Sequence, residues 1–177
     1  MPGHPARLFQ EVVMSVPTAN PATASRGMVL PRGPVLVALT YAIVVIGPIL
    51  VFAGVIAFTD EDPYASQGPV DSMIGIGLFG TIALAVALAI ALGLGRNPSR
   101  AGVAAVILGV LSVVSLVFFW SGAPALFGAC AAWCAGLTRD RRPLGGAARV
   151  AGILGAFVVL LDLVLFIGGM VLAAISG

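Results

Sequence analysis

Residues 101–138 run for 38 positions without one charged side chain. As a single α-helix this stretch would be about 57 Å long, against a bilayer hydrocarbon core of about 30 Å. It has to break, and Trp120-Ser121-Gly122-Ala123-Pro124 supplies the break. Trp120 is expected at the membrane–water interface. The stretch then divides into segments 101–119 and 123–137, the second short enough to be re-entrant. Three more apolar runs, 35–58, 70–94 and 150–174, are each long enough to cross a bilayer. Gly47-Pro48 lies near the middle of the first, where proline removes a backbone donor and should kink the helix.

Only 9% of the 177 residues are charged, 60% are hydrophobic, and mean hydropathy is +1.13. Soluble domains carry about a quarter charged residues, so part of this surface must face lipid. The expected fold is all-α: a polytopic transmembrane helix bundle with five spans.

Arginine placement orients it. There is no lysine, and the nine arginines are Arg7, Arg26, Arg32, Arg96, Arg100, Arg139, Arg141, Arg142 and Arg149. Five spans put all nine on one side, whereas four would place Arg100 and Arg139 on opposite faces. Cytoplasmic loops carry the excess of basic residues. The expectation is therefore a bacterial inner or plasma (cell) membrane, with the N-terminus cytoplasmic and the C-terminus outside. Residues 1–34, with no hydrophobic period, are expected to be a disordered cytoplasmic tail, and 35–177 the transmembrane helical domain. No apolar segment of a secretory signal precedes residue 35. Met14-Ser15-Val16-Pro17 reads as a start of its own, with 1–13 an over-extension. Mass spectrometry finding Met1 or Pro2 at the terminus would overturn that hypothesis.

The run Val103-Ala104-Ala105-Val106-Ile107-Leu108-Gly109-Val110-Leu111-Ser112, the turn Arg139-Asp140-Arg141-Arg142, and the stretch from Gly146 to Gly155 share a pattern. It is an Ala-rich helix with Leu-Gly, an arginine-rich turn, and a return helix opened by glycine. Over about residues 101–170 this resembles an uncharacterised family of small actinobacterial membrane proteins. The spacing between Ala151-Gly152 and Gly155 is one residue shorter than that family's pattern. The family has no established activity, so the resemblance implies a helix hairpin and no functional residue. Ala105-Val106-Ile107-Leu108-Gly109 and Ala151-Gly152-Ile153-Leu154-Gly155 also repeat one another, as a duplicated hairpin or by chance in Ala/Gly/Leu-rich sequence.

Asp162 is the one acid or base in the interior of a proposed span. A charged Asp at mid-membrane costs about 2.5–3.5 kcal/mol on the insertion scale. Gly155 and Gly169 lie seven residues either side, on its own helical face, which should therefore pack against another helix. Candidate partners at its depth are Ser112, Ser115 and the Val44 carbonyl freed by Pro48. Asp162, Ser112 and Ser115 form the candidate intramembrane polar site. It reads either as a proton- or cation-linked site or as an interhelical hydrogen bond that holds the fold.

Other patterns favour packing. Cys130 and Cys134 stand one helical turn apart, without further metal ligands, and read as small apolar residues. Gly75-Ile76-Gly77-Leu78-Phe79-Gly80 fits Gly-x-Gly-x-x-Gly, but inside an apolar helix rather than after a strand. Gly77, Thr81, Ala85, Ala89 and Gly93 form a small-residue ladder suited to close helix packing. Asp60, Glu61, Asp62 and Asp71 read as solvated loop acids. The arginines at 139–149 fit orientation and anionic headgroups.

These observations imply no catalytic, cofactor or metal residues. The leading expectation is a non-enzymatic multi-pass membrane protein, an accessory or assembly subunit. The alternative is a small transporter or channel component using Asp162. A membrane redox enzyme using Cys130 and Cys134 ranks third. The implied partners are the lipid bilayer and a membrane protein or second copy of the chain. A net charge of +2 gives no ground for nucleic acid.

Overall fold

Four long apolar helices surround a short fifth one. The computed structural model describes residues 31–58 and 68–176, with side chains to residue 169. Residues 1–30 of the expected tail, the second start at Met14 and the acids Asp60, Glu61 and Asp62 lie outside the described residues, whereas Gly33 and Pro34, expected in the tail, open the first helix. The helices are α1 (Gly33–Phe58), α2 (Pro69–Gly93), α3 (Pro98–Ser121), α4 (Ala123–Cys134) and α5 (Gly146–Ser176). Proline opens α1, α2, α3 and α4 within the first two positions, where its missing N–H is no loss.

In α1 the expected kink takes a specific form. Pro48 cannot donate, and the chain widens into a π-turn over Ala42–Ile46, in which the Gly47 N–H reaches the carbonyl of Ala42. The freed Val44 carbonyl does not face Asp162. It lies 3.0 Å from where a Cβ of Gly122 would stand.

The break in the 38-residue run falls where the sequence places it. Beyond Val114, α3 tightens into a 3-10 turn over Ser115–Ser121, and Phe118 leaves helical geometry (φ −111°, ψ 39°). Gly122 then turns the chain at φ 68°. Only a residue without Cβ fits there, because of both the positive φ and the approach of Val44. The depth of the turn differs from the expectation. Gly122 is level with Val44, about 17 Å along α1 from Gly33, and Ser121 with Gly80, about 20 Å along α2 from Gly93. These are near the midpoints of both helices. Trp120 is the penultimate residue of the 3-10 turn. It packs edge-on to Phe79, ring centroids 5.6 Å apart, and lies beside Gly75.

From that midpoint α4 returns to the arginine-bearing end. Its 12 residues make about 18 Å of helix, half a crossing. From Pro124 to Cys134 every residue is buried, and α4 touches all four long helices. It ends in a Schellman motif: Leu137 N–H reaches the Ala132 carbonyl, Gly136 N–H reaches that of Trp133, and Gly136 adopts φ 76°. A Cβ at Gly136 would overlap the carbonyl of Arg142.

The small-residue packing lies elsewhere than the ladder on α2. Thr81, Ala85, Ala89 and Gly93 are exposed, and the buried stripe of α2 is Ile76, Gly80, Ala83, Ala87 and Ala91. Both stripes are small and apolar, so hydropathy does not choose between them; the bulk of the neighbouring α1 and α4 does. The closest backbone approach is α4 to α5, where Gly128 and Gly155 meet. A Cβ on Gly155 would stand 2.7 Å from the Gly128 carbonyl oxygen, and one on Gly128 would overlap the Gly155 carbonyl. Large apolar side chains such as Leu50, Leu78, Phe157 and Leu160 point outward, as a bundle in lipid requires.

Candidate functional site

The midpoint turn leaves the N-terminus of α4 deep inside the bundle. A helix starts with four backbone N–H groups that lack intrahelical acceptors, and lipid offers none. At α4 all but one are accounted for. Ala123 N–H faces the Ser121 hydroxyl at 3.3 Å. Pro124 has no N–H. Gly122 N–H takes the Phe119 carbonyl at 3.2 Å. Ala125 N–H remains, and the N-cap residue, Gly122, has no side chain to offer it. Asp162, about 24 Å along α5 from Gly146, turns its carboxyl to that N–H. The aspartate stands beside the N-terminal end of α4, where the helix dipole favours a carboxylate.

Ser112 acts on the same peptide. Its hydroxyl, fully buried, donates to the Pro124 carbonyl at 3.0 Å. The Pro124–Ala125 peptide unit is therefore held at its carbonyl by α3 and faced at its N–H by the Asp162 carboxyl of α5. Ser115 is not part of this arrangement, since its hydroxyl donates to the Ser112 carbonyl at 3.1 Å. Of the three candidate residues, two meet at α4 and one closes the end of its own helix. Gly155 lies on the packed face, as its spacing from Asp162 predicts, whereas a Cβ at Gly169 would meet nothing within 4 Å.

Asp162 is 2% exposed, and its Oδ1 has no hydrogen-bond partner. Outward of the turn lies a recess of about 700 Å³, lined by Phe52, Asp71, Ser72, Trp120 and Phe166. Phe166 is one helical turn from Asp162, so the recess begins just beyond the carboxyl group.

Cys130 and Cys134 are free thiols buried along α4, with Cys134 Sγ against Gly95. The Gly-x-Gly-x-x-Gly run sits within α2, where Gly75 faces Trp120, Gly77 faces Ile49, and Gly80 faces Val45.

At the opposite end the loops interlock. Gly33 N–H donates to Asp140 Oδ1 at 2.8 Å, and the Trp133 indole N–H to Oδ2 at 3.1 Å. Arg141 Nη1 donates to the Gly95 carbonyl at 2.8 Å, and its guanidinium stacks on Trp133, 4.8 Å from the ring centroid. Arg139 N–H reaches the Pro31 carbonyl at 3.3 Å. Burial works to raise the Asp140 carboxyl, but the hydrogen-bonding groups around it, the Gly33 N–H foremost, together outweigh it and hold the carboxyl below its ordinary value. The arginines among the described residues all sit in the segments at this end. Half-length α4 returns the chain to the side that a fifth full span would have reached.

The sequence signalled Asp162 and Ser112 but not their meeting point. An orphan backbone N–H has no letter of its own, although Gly122 before Ala-Pro marks a helix start without a capping side chain. The Trp133–Asp140–Arg141 cluster was also missed as a unit. Its seven-residue separation across a glycine C-cap was the available clue.

Comparison with protein-family models, with curated proteins and with solved structures found no match.

Proposed function

We propose that this chain is a non-enzymatic accessory or assembly subunit of a bacterial plasma membrane, with its arginine-bearing end cytoplasmic. One observation carries the reading. The buried polar groups at mid-depth gather around the start of α4: Ser121 on Ala123 N–H, Ser112 on the Pro124 carbonyl, and the Asp162 carboxyl facing Ala125 N–H. Groups engaged in holding a helix end are groups of a scaffold. The recess between Phe52, Trp120 and Phe166 supports the same reading, because it interrupts the outer half of the bundle where a partner's transmembrane helix would complete it. Affinity purification from native membranes tests it. A stoichiometric membrane-protein partner, lost in Phe166→Arg at unchanged expression, is the expected result; recovery of the chain alone defeats it. The orientation is tested separately, since a C-terminal reporter fusion active in the cytoplasm overturns it.

A second reading, a small transporter or channel component, is favoured by the unpartnered Oδ1 of Asp162. Half-helix N-termini near the midplane are where transporters hold charged groups. An ion-dependent phenotype lost in Asp162→Asn, with normal expression, would favour this reading over the scaffold.

A further inference from the structure

The arginine-bearing end contains a recess of about 300 Å³ lined by Arg96, Pro98, Cys134, Arg141, Arg142 and Leu144. We infer that it binds a phosphate-class anion, either the phosphodiester headgroup of an anionic lipid or a free phosphate. Three arginines from two different loops line one cavity, and no acid is among its lining residues. The nearest acid in sequence, Asp140, has one carboxylate oxygen on Gly33 N–H and the other on the Trp133 indole. It is held away from the arginine next to it.

The site is built rather than incidental. Arg141 is fixed by the Gly95 carbonyl and by the Trp133 face, which use one nitrogen and one face of its planar fork. A guanidinium carries five N–H donors, and those left over are pre-set for an anion. The loop that carries Arg141 and Arg142 is locked by the Gly136 turn against the Arg142 carbonyl and by Leu144 N–H on the Ala135 carbonyl at 2.9 Å. Pro98 and Ala101 bring the first turn of α3 to the wall, adding the positive end of its dipole. Pro98, Ala101 and Leu144 also give low-dielectric walls, which strengthen the field between the arginines. Orientation alone needs basic residues on one side of the membrane; it does not need three of them around one cavity.

The test uses purified full-length protein in two settings. In detergent, unfolding temperature is followed against inorganic phosphate at constant ionic strength. In nanodiscs, it is compared between phosphatidylcholine alone and phosphatidylcholine with phosphatidylglycerol. Arg141 has structural bonds, so the variants are Arg96→Gln and Arg142→Gln, with Arg149→Gln, outside the recess, as the control. Stabilisation by inorganic phosphate in detergent identifies a free-anion site, and stabilisation by phosphatidylglycerol alone identifies a headgroup site. Either supports the inference if each recess variant weakens the apparent affinity about tenfold, the scale of one charge-assisted contact, while the control does not. It is overturned if neither anion stabilises the protein, or if Arg149→Gln loses as much as the recess variants.

Discussion

Ser112 and Asp162 meet at the two ends of one peptide unit. The Ser112 hydroxyl donates to the Pro124 carbonyl at 3.0 Å, and the Asp162 carboxyl faces the Ala125 N–H. Residues from α3 and α5 thereby fix the depth at which α4 begins. In lipid, with no water to take over either backbone group, this is a structural necessity of a helix that starts at mid-depth.

Loss of the Asp162 acceptor should destabilise through the orphaned Ala125 N–H. Asp162→Ala is expected to lower stability by about 1–3 kcal/mol, the penalty for an unsatisfied buried donor. Asp162→Asn keeps an acceptor oxygen and should lose less. Thermal unfolding in detergent, with the two variants side by side, checks this; equal losses would mean that the carboxylate charge, not the acceptor, matters.

The shared peptide unit makes Ser112 and Asp162 non-additive. Ser112→Ala alone should cost about 1 kcal/mol. Combined with Asp162→Ala, the loss should differ from the sum of the single losses by more than about 0.5 kcal/mol, because both act on one helix end. A double-mutant cycle measures the difference, and simple additivity would separate the two residues.

Glycine substitutions should sort by contact rather than by motif. Gly155→Ala puts a methyl group 2.7 Å from the Gly128 carbonyl oxygen and should cost about 1–3 kcal/mol by forcing α4 and α5 apart. Gly93→Ala, on the exposed α2 ladder and with nothing within 4 Å, should be neutral or stabilising by up to about 1 kcal/mol through helix propensity. Unfolding temperatures of the two variants decide whether the ladder or the Gly128–Gly155 crossing carries the packing.

Asp140 predicts an acid-sensitive end. Its carboxyl lies below its ordinary value in the folded protein, so its contribution is present above the unfolded value of about 3.9 and is lost as pH falls through the lower folded value. Acidification below about pH 4 should therefore loosen the Gly33–Asp140–Trp133 contacts. Trp133 fluorescence in a Trp120→Phe background follows it. Asp140→Asn should remove this acid-dependent change, and its persistence would assign the change elsewhere.

How much of this was legible differs from feature to feature. The break at residues 120–124 could be read because 38 uncharged residues overrun a bilayer and because Gly and Pro punctuate the chain. The gathering of arginines at one end could be read because each charge has a fixed cost of crossing lipid. The buried face of α2 could not be read. Its two stripes, Gly80–Ala83–Ala87–Ala91 and Thr81–Ala85–Ala89–Gly93, differ little in polarity, and a lipid-exposed face is as apolar as a packed one.

By itself, then, the sequence determined that the chain forms apolar helices suited to lipid, that its arginines from Arg32 onward share one end, and that Asp162 needs an internal environment. These are matters of transfer free energy, which each residue carries with it. Tertiary structure decided that the turn at Gly122 stops halfway through the bundle, that α4 is consequently a buried half-helix, and that Asp162 faces the start of that half-helix. Those outcomes depend on where backbones approach and which of their polar groups are left over, and both arise only once the helices have packed.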